Sequence, residues 1–198
     1  MHISHMRVWE LIAQGAHARA LVLEDDAVLS QKLPAVLGEL ETLDYDLIRI
    51  EACWRARVFA PIGSLAHGVL VRPFRSTPGG ASGYIISRDA AKRLLRDEAV
   101  KQRQLDLALY DPFRQPGRGL SRVLLDPALV IQEGDIAGAD RQSGVARSDI
   151  ILAGNEKPAN LSLLARRFLD RAWFKTWNLI DHIWNLARKI ETKPITWQ

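Results

Sequence analysis

The sequence predicts an α/β fold, because apolar runs of strand length alternate with segments of helical periodicity. Of its 198 residues, 47% are hydrophobic and 25% are charged, which is an ordinary globular composition. Three consecutive carboxylates, Glu24, Asp25 and Asp26, directly follow the apolar run ALVL. Because ligands bind outside the carboxyl ends of strands in such folds, the acidic triplet marks a candidate site.

The first half of the chain has clear local signals. ISHMRVWELIAQG predicts a helix that ends near Gly15. RALVLE predicts a strand, and because it is apolar on both faces it suits a central position in a covered sheet. LPAVLGELETL predicts a helix opened by Pro34, and YDLIRIE predicts the next strand. RVFAPIG and HGVLVRP predict two strands joined by a loop.

The second half begins with STPGGASG, which predicts a glycine-rich turn into the strand YIIS. RDAAKRLLRDEA and LDLALYDPF predict helices, and SRVLLDPALVIQE predicts one or two strands. Residues 134–160 are rich in Gly, Ala, Asp and Ser and predict a loop. We therefore expect a catalytic domain at residues 1–135, a linker at 136–160 and a helical tail at 161–198.

The net charge of +4 comes from this tail, which contains seven Lys or Arg residues and three acidic residues. The rest of the chain is balanced, so a nucleic-acid partner is not expected. Apolar residues at helical spacing, basic residues and three tryptophans favour a helix lying on an anionic membrane surface through residues 161–190. Packing on the catalytic domain or another subunit is the alternative. The sequence has no signal peptide or membrane span, which predicts a cytoplasmic protein, either soluble or peripheral.

The acidic triplet favours a divalent cation. Adjacent carboxylates repel one another, and hard oxygen ligands suit Mg²⁺ or Mn²⁺, which are commonly bound by one or two carboxylates and substrate phosphates. A solvated turn, or a helix cap formed by Asp26, is the alternative. Gly80 and Gly83 allow either close backbone approach to a ligand or a tight turn. Cys53 is the single cysteine, which excludes a disulfide framework and a cysteine zinc site within one chain.

Four segments occur in order: ISHMRVWELI, ALVLEDDAVLS, GGASGYIISRDAAKRLL and QLDLALYD. Together they resemble glycosyltransferase family 25, the lipooligosaccharide galactosyltransferase type, over roughly residues 2–132. The resemblance implies a GT-A-like nucleotide-diphospho-sugar transferase fold and a UDP-sugar donor such as UDP-galactose. It further implies a divalent cation (Mn²⁺, or Mg²⁺) and a lipid-linked lipopolysaccharide or lipooligosaccharide acceptor. The enzyme would be an inverting hexosyltransferase at the cytoplasmic face of a bacterial inner membrane.

The resemblance also implies roles for individual residues. Asp26 would be the main metal ligand and Glu24 a second one, with Asp25 assisting. Asp106 would be the general base, and Glu51, at the end of LIRIE, is the alternative base. Inverting transfer needs such a carboxylate to take the acceptor proton while the diphosphate leaves. The residues implied for the donor and acceptor pocket are Ser4, His5, Glu24, Asp25, Gly80, Ser82, Gly83 and Tyr84.

One departure from the family pattern bears on activity. Family members usually have a strand and a helix before the Ser-His segment, whereas this chain starts almost on it, with His2 in place of a cysteine. We therefore expect an N-terminally shortened fold. The alternative function is a catalytically inactive fragment or binding module of this fold. A phosphoesterase that uses the acidic triplet is a weaker alternative, because no other motif supports it.

Overall fold

The structure is a computed structural model and describes residues 2–136 and 190–198. The α-helices in these residues are α1 (His2–Gln14), α2 (Leu33–Leu40), α3 (Arg88–Arg96), α4 (Glu98–Lys101), α5 (Leu105–Tyr110) and α6 (Glu133–Ile136). The strands are β1 (Arg19–Leu23), β2 (Ala27–Leu29), β3 (Leu47–Arg49), β4 (Cys53–Val58), β5 (Gly63–Ser64), β6 (Leu70–Pro73), β7 (Gly83–Ser87), β8 (Arg122–Asp126), β9 (Val130–Gln132) and β10 (Glu191–Ile195). The predicted α/β class is confirmed.

The main sheet has six strands in the order β1-β7-β3-β8-β6-β5. β3 and β8 run parallel, and the other neighbouring pairs are antiparallel. Two small ribbons accompany this sheet, one formed by β2 and β9 and the other by β4 and β10. This pairing places the ends of β1, β3 and β8 and the start of β7 at the same end of the sheet.

Apolar clusters cover both faces of the sheet. The first includes Trp9 of α1, Tyr84 and Ile86 of β7, and Leu94 of α3. The second includes Ile85 and residues of α2. The alternation along β7 follows from the two-residue period of a strand, which sends successive side chains to opposite faces.

The prediction that RALVLE forms a central strand is wrong, because in the described residues β1 pairs only with β7, at the end of the sheet. Its two-sided apolar pattern has another cause. Val22 packs in the first cluster with Trp9 of α1, and Leu21 packs against the second cluster. An end strand that is covered on both faces has the same composition as a central one.

Two other predictions differ in detail, and the prediction of one or two strands in SRVLLDPALVIQE is confirmed. RVFAPIG and HGVLVRP do pair antiparallel, since Gly63 of β5 pairs with Val71 of β6 and the N–H of Phe59 donates to the carbonyl of Pro73. RVFAPIG is not a single strand, however, because its first residues belong to β4, which begins at Cys53 and pairs with β10. SRVLLDPALVIQE forms two strands, β8 and β9, separated by Pro127. The start of the predicted loop forms the short helix α6 instead.

The prediction that the tail, residues 161–198, is helical is wrong at its C-terminal end. That end forms a strand that pairs with the predicted 1–135 domain. Residues Glu191–Ile195 form β10, which pairs with β4 and buries Ile195 to 2% exposure. Pro194 disfavours a helix because proline lacks the backbone N–H that a helix interior needs. Pairing with β4 supplies hydrogen bonds to β10 instead. The predicted linker beyond residue 136 and the tail up to residue 189 lie outside the described residues. No helix in the part that the structure describes is long and apolar enough to cross a bilayer.

Candidate functional site

Three strand ends bring several of the predicted site residues together. Leu23 of β1 pairs with Gly83 of β7, and Arg49 of β3 pairs with Tyr84. The backbone N–H of Glu24 then donates to the carbonyl of Ser82 over 3.0 Å. The sheet therefore places the start of the acidic triplet beside the GGASG segment.

His5 connects α1 to this sheet end through two side-chain contacts. Its Nδ1 lies 2.8 Å from the Tyr84 hydroxyl, and its Nε2 lies 3.1 Å from Glu24 Oε1. Trp9, one helical turn later, donates Nε1–H to the same hydroxyl over 2.9 Å. Tyr84 can then donate to Nδ1 while Nε2–H donates to Glu24, which gives each group a complementary partner. Burial raises the pKa of Tyr84, so the hydroxyl keeps its proton.

Glu24 is held by its neighbours on both carboxylate oxygens. Oε1 contacts His5, and Oε2 accepts from Gln132 Nε2 over 3.3 Å. The side chain is 11% exposed. This arrangement suits a residue that orders the site, and it leaves Asp25 and Asp26 as the more accessible carboxylates.

Asp25 and Asp26 lie exposed in the turn between β1 and β2. The Asp26 carbonyl accepts from the backbone N–H of Glu133 over 2.9 Å, which joins the turn to α6. Partial burial and repulsion by Glu24, Asp25 and Glu133 raise the pKa of Asp26. This repulsion is what a bound cation would relieve.

The acidic turn fits a hard divalent cation in part. Two exposed carboxylates match a site that Mg²⁺ or Mn²⁺ completes with substrate phosphates and water. Among residues 2–136 and 190–198, no group of three or more His, Cys, Asp or Glu side chains is arranged as a complete metal site. Asp25 and Asp26 are the residues that would hold the ion, while Glu24 already has other partners.

Glu51 is a buried carboxylate at the same sheet end. Its Oε2 accepts from the backbone N–H of Ser82 over 3.1 Å and pairs with Arg49 Nη2 at 3.1 Å. Burial raises the pKa of Glu51, while Arg49 and the bonds from Ser82 oppose that rise. Gly80 packs against the other oxygen, since a Cβ there would overlap Glu51 Oε1. Gly80 has a φ of +82°, a conformation that favours glycine.

Arg49 is fully buried beneath the glycine turn, residues 79–80. Its Nη1 donates to the Gly80 carbonyl over 2.7 Å, and its Nη2 donates to the Gly79 carbonyl over 2.7 Å. The guanidinium carbon lies 4.9 Å from the centre of the Tyr110 ring, a cation–π contact. The guanidinium thus joins the turn, Glu51 and α5.

The remaining predicted residues have differing environments. Ser82 is fully buried, and a Cβ at Gly83 would lie 2.8 Å from Val130 Cγ1, so both shape the backbone of the site. Ser4 is exposed on α1. Asp106 lies in the first turn of α5, where its Oδ1 accepts from the N–H of Leu107 over 2.8 Å. No hydrogen bond in the described residues joins Asp106 to Glu24 or Glu51.

Sequence reasoning missed Trp9, Arg49, Tyr110 and Gln132. Two of these had usable signals. Trp9 is four residues after His5 and so lies on the same helix face. Arg49 is two residues before Glu51 in an apolar strand, which places both charges on one face. Tyr110 and Gln132 reach the site only through tertiary packing, which local patterns do not reveal.

A cavity of about 400 Å³ lies at the opposite end of the main sheet. Its polar lining is made by Ala18, Arg19, Asp44, Tyr45, Asp46, Ser87, Arg88, Asp89 and Ser121. Much of this charge is paired internally: Arg93 binds Asp46, and Arg19 Nη2 lies 3.6 Å from Asp44 Oδ1. None of the predicted site residues lines this cavity.

Comparison with protein families gives one match. Residues 2–108, more than half of the chain, match the family model described as glycosyltransferase family 25, LPS biosynthesis protein. The matched segment contains the His5, Glu24, Glu51 and Gly80 positions and ends inside α5. No curated protein matches the chain.

Proposed function

Because the chain belongs to glycosyltransferase family 25, the LPS biosynthesis family, we propose that it transfers galactose from UDP-galactose to a lipopolysaccharide or lipooligosaccharide glycan. The proposed transfer depends on a divalent cation and inverts the anomeric centre, within a GT-A-like fold. One observation carries the proposal: an exposed carboxylate pair and a buried, charge-paired carboxylate stand at the same sheet end, on either side of Ser82.

The two carboxylate groups suit different tasks. Asp25 and Asp26 are exposed in a turn and are the proposed cation ligands. When bound, a divalent cation neutralises the donor's diphosphate and assists its departure as a Lewis acid. The glycine turn at residues 79–80 lets a ligand approach the backbone closely, since Gly79 has open space around a Cβ position.

Glu51 has the environment of a proton acceptor. Its Oε2 is fixed by Ser82 and Arg49, which orients the carboxylate before the acceptor arrives. Burial raises its pKa towards the range in which a carboxylate takes a proton more readily. Glu51 would take the acceptor hydroxyl proton as the new glycosidic bond forms and the diphosphate leaves from the opposite face. Asp106 is the alternative general base, and an experiment described below compares the two residues.

Association with the cytoplasmic face of an inner membrane is part of the proposal. It is supported by the basic, tryptophan-containing sequence at residues 161–190 and by the lipid-linked acceptor that an LPS biosynthesis family implies. The segment itself lies outside the described residues. No nucleic acid is proposed as a partner.

Calorimetric titration of UDP, with and without Mn²⁺, tests the donor site. We expect Mn²⁺-dependent binding, and we expect Asp26→Ala to weaken it about tenfold or more, because one of two proposed cation ligands is lost. Asp89→Ala is the matched control, since that carboxylate is exposed at the opposite sheet end and should leave UDP affinity unchanged. Absence of UDP binding by the folded protein would contradict the proposed transferase.

A binding module without transferase activity is the second candidate. It is favoured by Glu24, whose two carboxylate oxygens both have protein partners, so that only Asp25 and Asp26 of the acidic triplet are left for a cation. UDP binding without release of UDP from UDP-galactose, with an acceptor glycan present, would support this candidate over the enzyme.

A further inference from the structure

Arg49 makes an unusual set of contacts for one buried side chain. It is fully buried and reaches three backbone carbonyls, those of Gly79 and Gly80 at 2.7 Å and that of Ala52 at 3.2 Å. It also pairs with Glu51 at 3.1 Å. A guanidinium can serve several acceptors together because its five N–H donors form a rigid planar fork.

We propose that Arg49 is a positioning residue that couples the glycine turn to Glu51, and that Glu51 rather than Asp106 accepts the acceptor proton. The proton-transfer part rests on the transferase function proposed above. The coupling between Arg49, the turn and Glu51 does not depend on it. Nothing in the family match assigns a role to Arg49.

The contacts make the three groups mutually dependent. A buried guanidinium needs a counter-charge, which Glu51 supplies, and a buried carboxylate needs a cation, which Arg49 supplies. The turn closes on both, because its carbonyls accept from Arg49 while Gly80 packs against Glu51 Oε1. Movement of the turn would therefore shift Arg49 relative to Glu51 and change the stability of the ionised carboxylate. Protonation of Glu51 would in turn weaken its ion pair with Arg49, the residue that binds the turn carbonyls.

The surroundings of Glu51 favour it over Asp106 as the proton acceptor. The bonds from Ser82 and Arg49 both fall on Oε2 of Glu51, and Oε1 lies against Gly80 of the glycine turn. Asp106 instead lies in the first turn of α5 and accepts from the N–H of the adjacent Leu107. Besides Arg49, the ionisable groups coupled electrostatically to Glu51 within residues 2–136 and 190–198 include Glu24 after β1, Cys53 of β4 and Tyr110 of α5.

Titration of Glu51 by NMR tests the coupling without an activity assay. In full-length protein labelled with ¹³C at the glutamate carboxyl, Glu51→Gln assigns the Glu51 resonance. We expect Arg49→Gln to raise the pKa of Glu51 by about 1–3 pH units, because the opposite charge is lost. Arg49→Lys keeps a charge and should leave that pKa closer to the wild-type value. Both variants should weaken UDP binding about tenfold or more, because the turn loses its fork of donors.

Arg72→Gln is the matched control. Arg72 is also a mostly buried arginine in an ion pair, with Nε 2.7 Å from Asp126 Oδ2, but it has no contact with Glu51 in the described residues. This variant should leave both the Glu51 titration and UDP affinity unchanged. An unchanged Glu51 pKa in Arg49→Gln would overturn the coupling. If Arg49→Gln does not fold, Arg49→Lys decides by the same titration: a measurable rise in the pKa of Glu51 supports the coupling, and an unchanged pKa overturns it.

Two further measurements separate the proposals. If wild-type protein binds no UDP, the proposed function fails, while the Glu51 titration still decides the coupling. If UDP binds, release of UDP from UDP-galactose with an acceptor glycan is compared in Glu51→Gln and Asp106→Asn. Loss of turnover about 100-fold or more in Glu51→Gln alone supports Glu51 as the proton acceptor. Loss in Asp106→Asn with turnover retained in Glu51→Gln overturns it.

Discussion

Gly80→Ala is expected to destabilise the protein by about 2–4 kcal/mol, because it adds backbone strain and overpacks a buried carboxylate. Gly80 has a φ of +82°, and its new Cβ would overlap Glu51 Oε1. A flexible side chain could move aside, but Glu51 is held by Arg49 and Ser82. The strain therefore falls on the turn itself, and UDP affinity should fall with it.

Gly79→Ala provides the matched control for Gly80→Ala. Gly79 does not have a positive φ, and no heavy atom beyond its two chain neighbours lies within 4 Å of its Cβ position. Its substitution should change stability by less than about 0.5 kcal/mol. Urea unfolding with an unchanged m-value measures both variants. Equal stability of the two variants would contradict the close packing of the turn on Glu51.

Ile195→Ala is expected to cost about 2–4 kcal/mol, the usual range for removing a buried isoleucine side chain. Ile195 is 2% exposed, pairs with Cys53 of β4 and belongs to the first apolar cluster. The next residue, Thr196, accepts a backbone hydrogen bond from Ala128 over 2.8 Å. Thermal and urea unfolding of the full chain measure the loss.

Lys193→Ala is the comparison for Ile195→Ala within the same strand. Lys193 Nζ lies 2.7 Å from Asp126 Oδ2, and Asp126 keeps Arg72 as a partner when Lys193 is removed. We expect a loss of under about 1 kcal/mol, as for a partly exposed ion pair. A loss for Ile195→Ala as small as that for Lys193→Ala would show that β10 contributes little to the core.

The sequence predicted those features that are encoded locally. The amphipathic period of α1, the apolar run of β1 and the glycine-rich turn before β7 are visible in a few neighbouring residues. The acidic triplet could be predicted as a site because it follows an apolar strand, and ligands bind at such strand ends. Ser82 could be predicted only from the family resemblance, and Glu51 only as the alternative base. The roles of these residues stay predictions that the proposed experiments test.

Other features depend on partners distant in the chain. The strand β10 forms because β4, more than a hundred residues earlier, offers an edge to pair with. β1 lies at the edge of the main sheet because it pairs only with β7 in the described residues. Its apolar sequence would suit a central strand equally well. Arg49 in a strand appears as an isolated charge until folding brings the carbonyls of Gly79 and Gly80 around it.

The position of β8 bears on where a functional boundary can be drawn in this chain. Family similarity ends at residue 108, yet β8 lies between β3 and β6 in the main sheet. β10, from the last ten residues, contributes Ile195 to the same core. The segment that matches the family therefore lacks β8, the strand that joins β3 to β6 in the main sheet. The family match and the folded domain thus end at different residues. Segments after residue 108 supply a sheet strand and core side chains to the domain that contains the motifs.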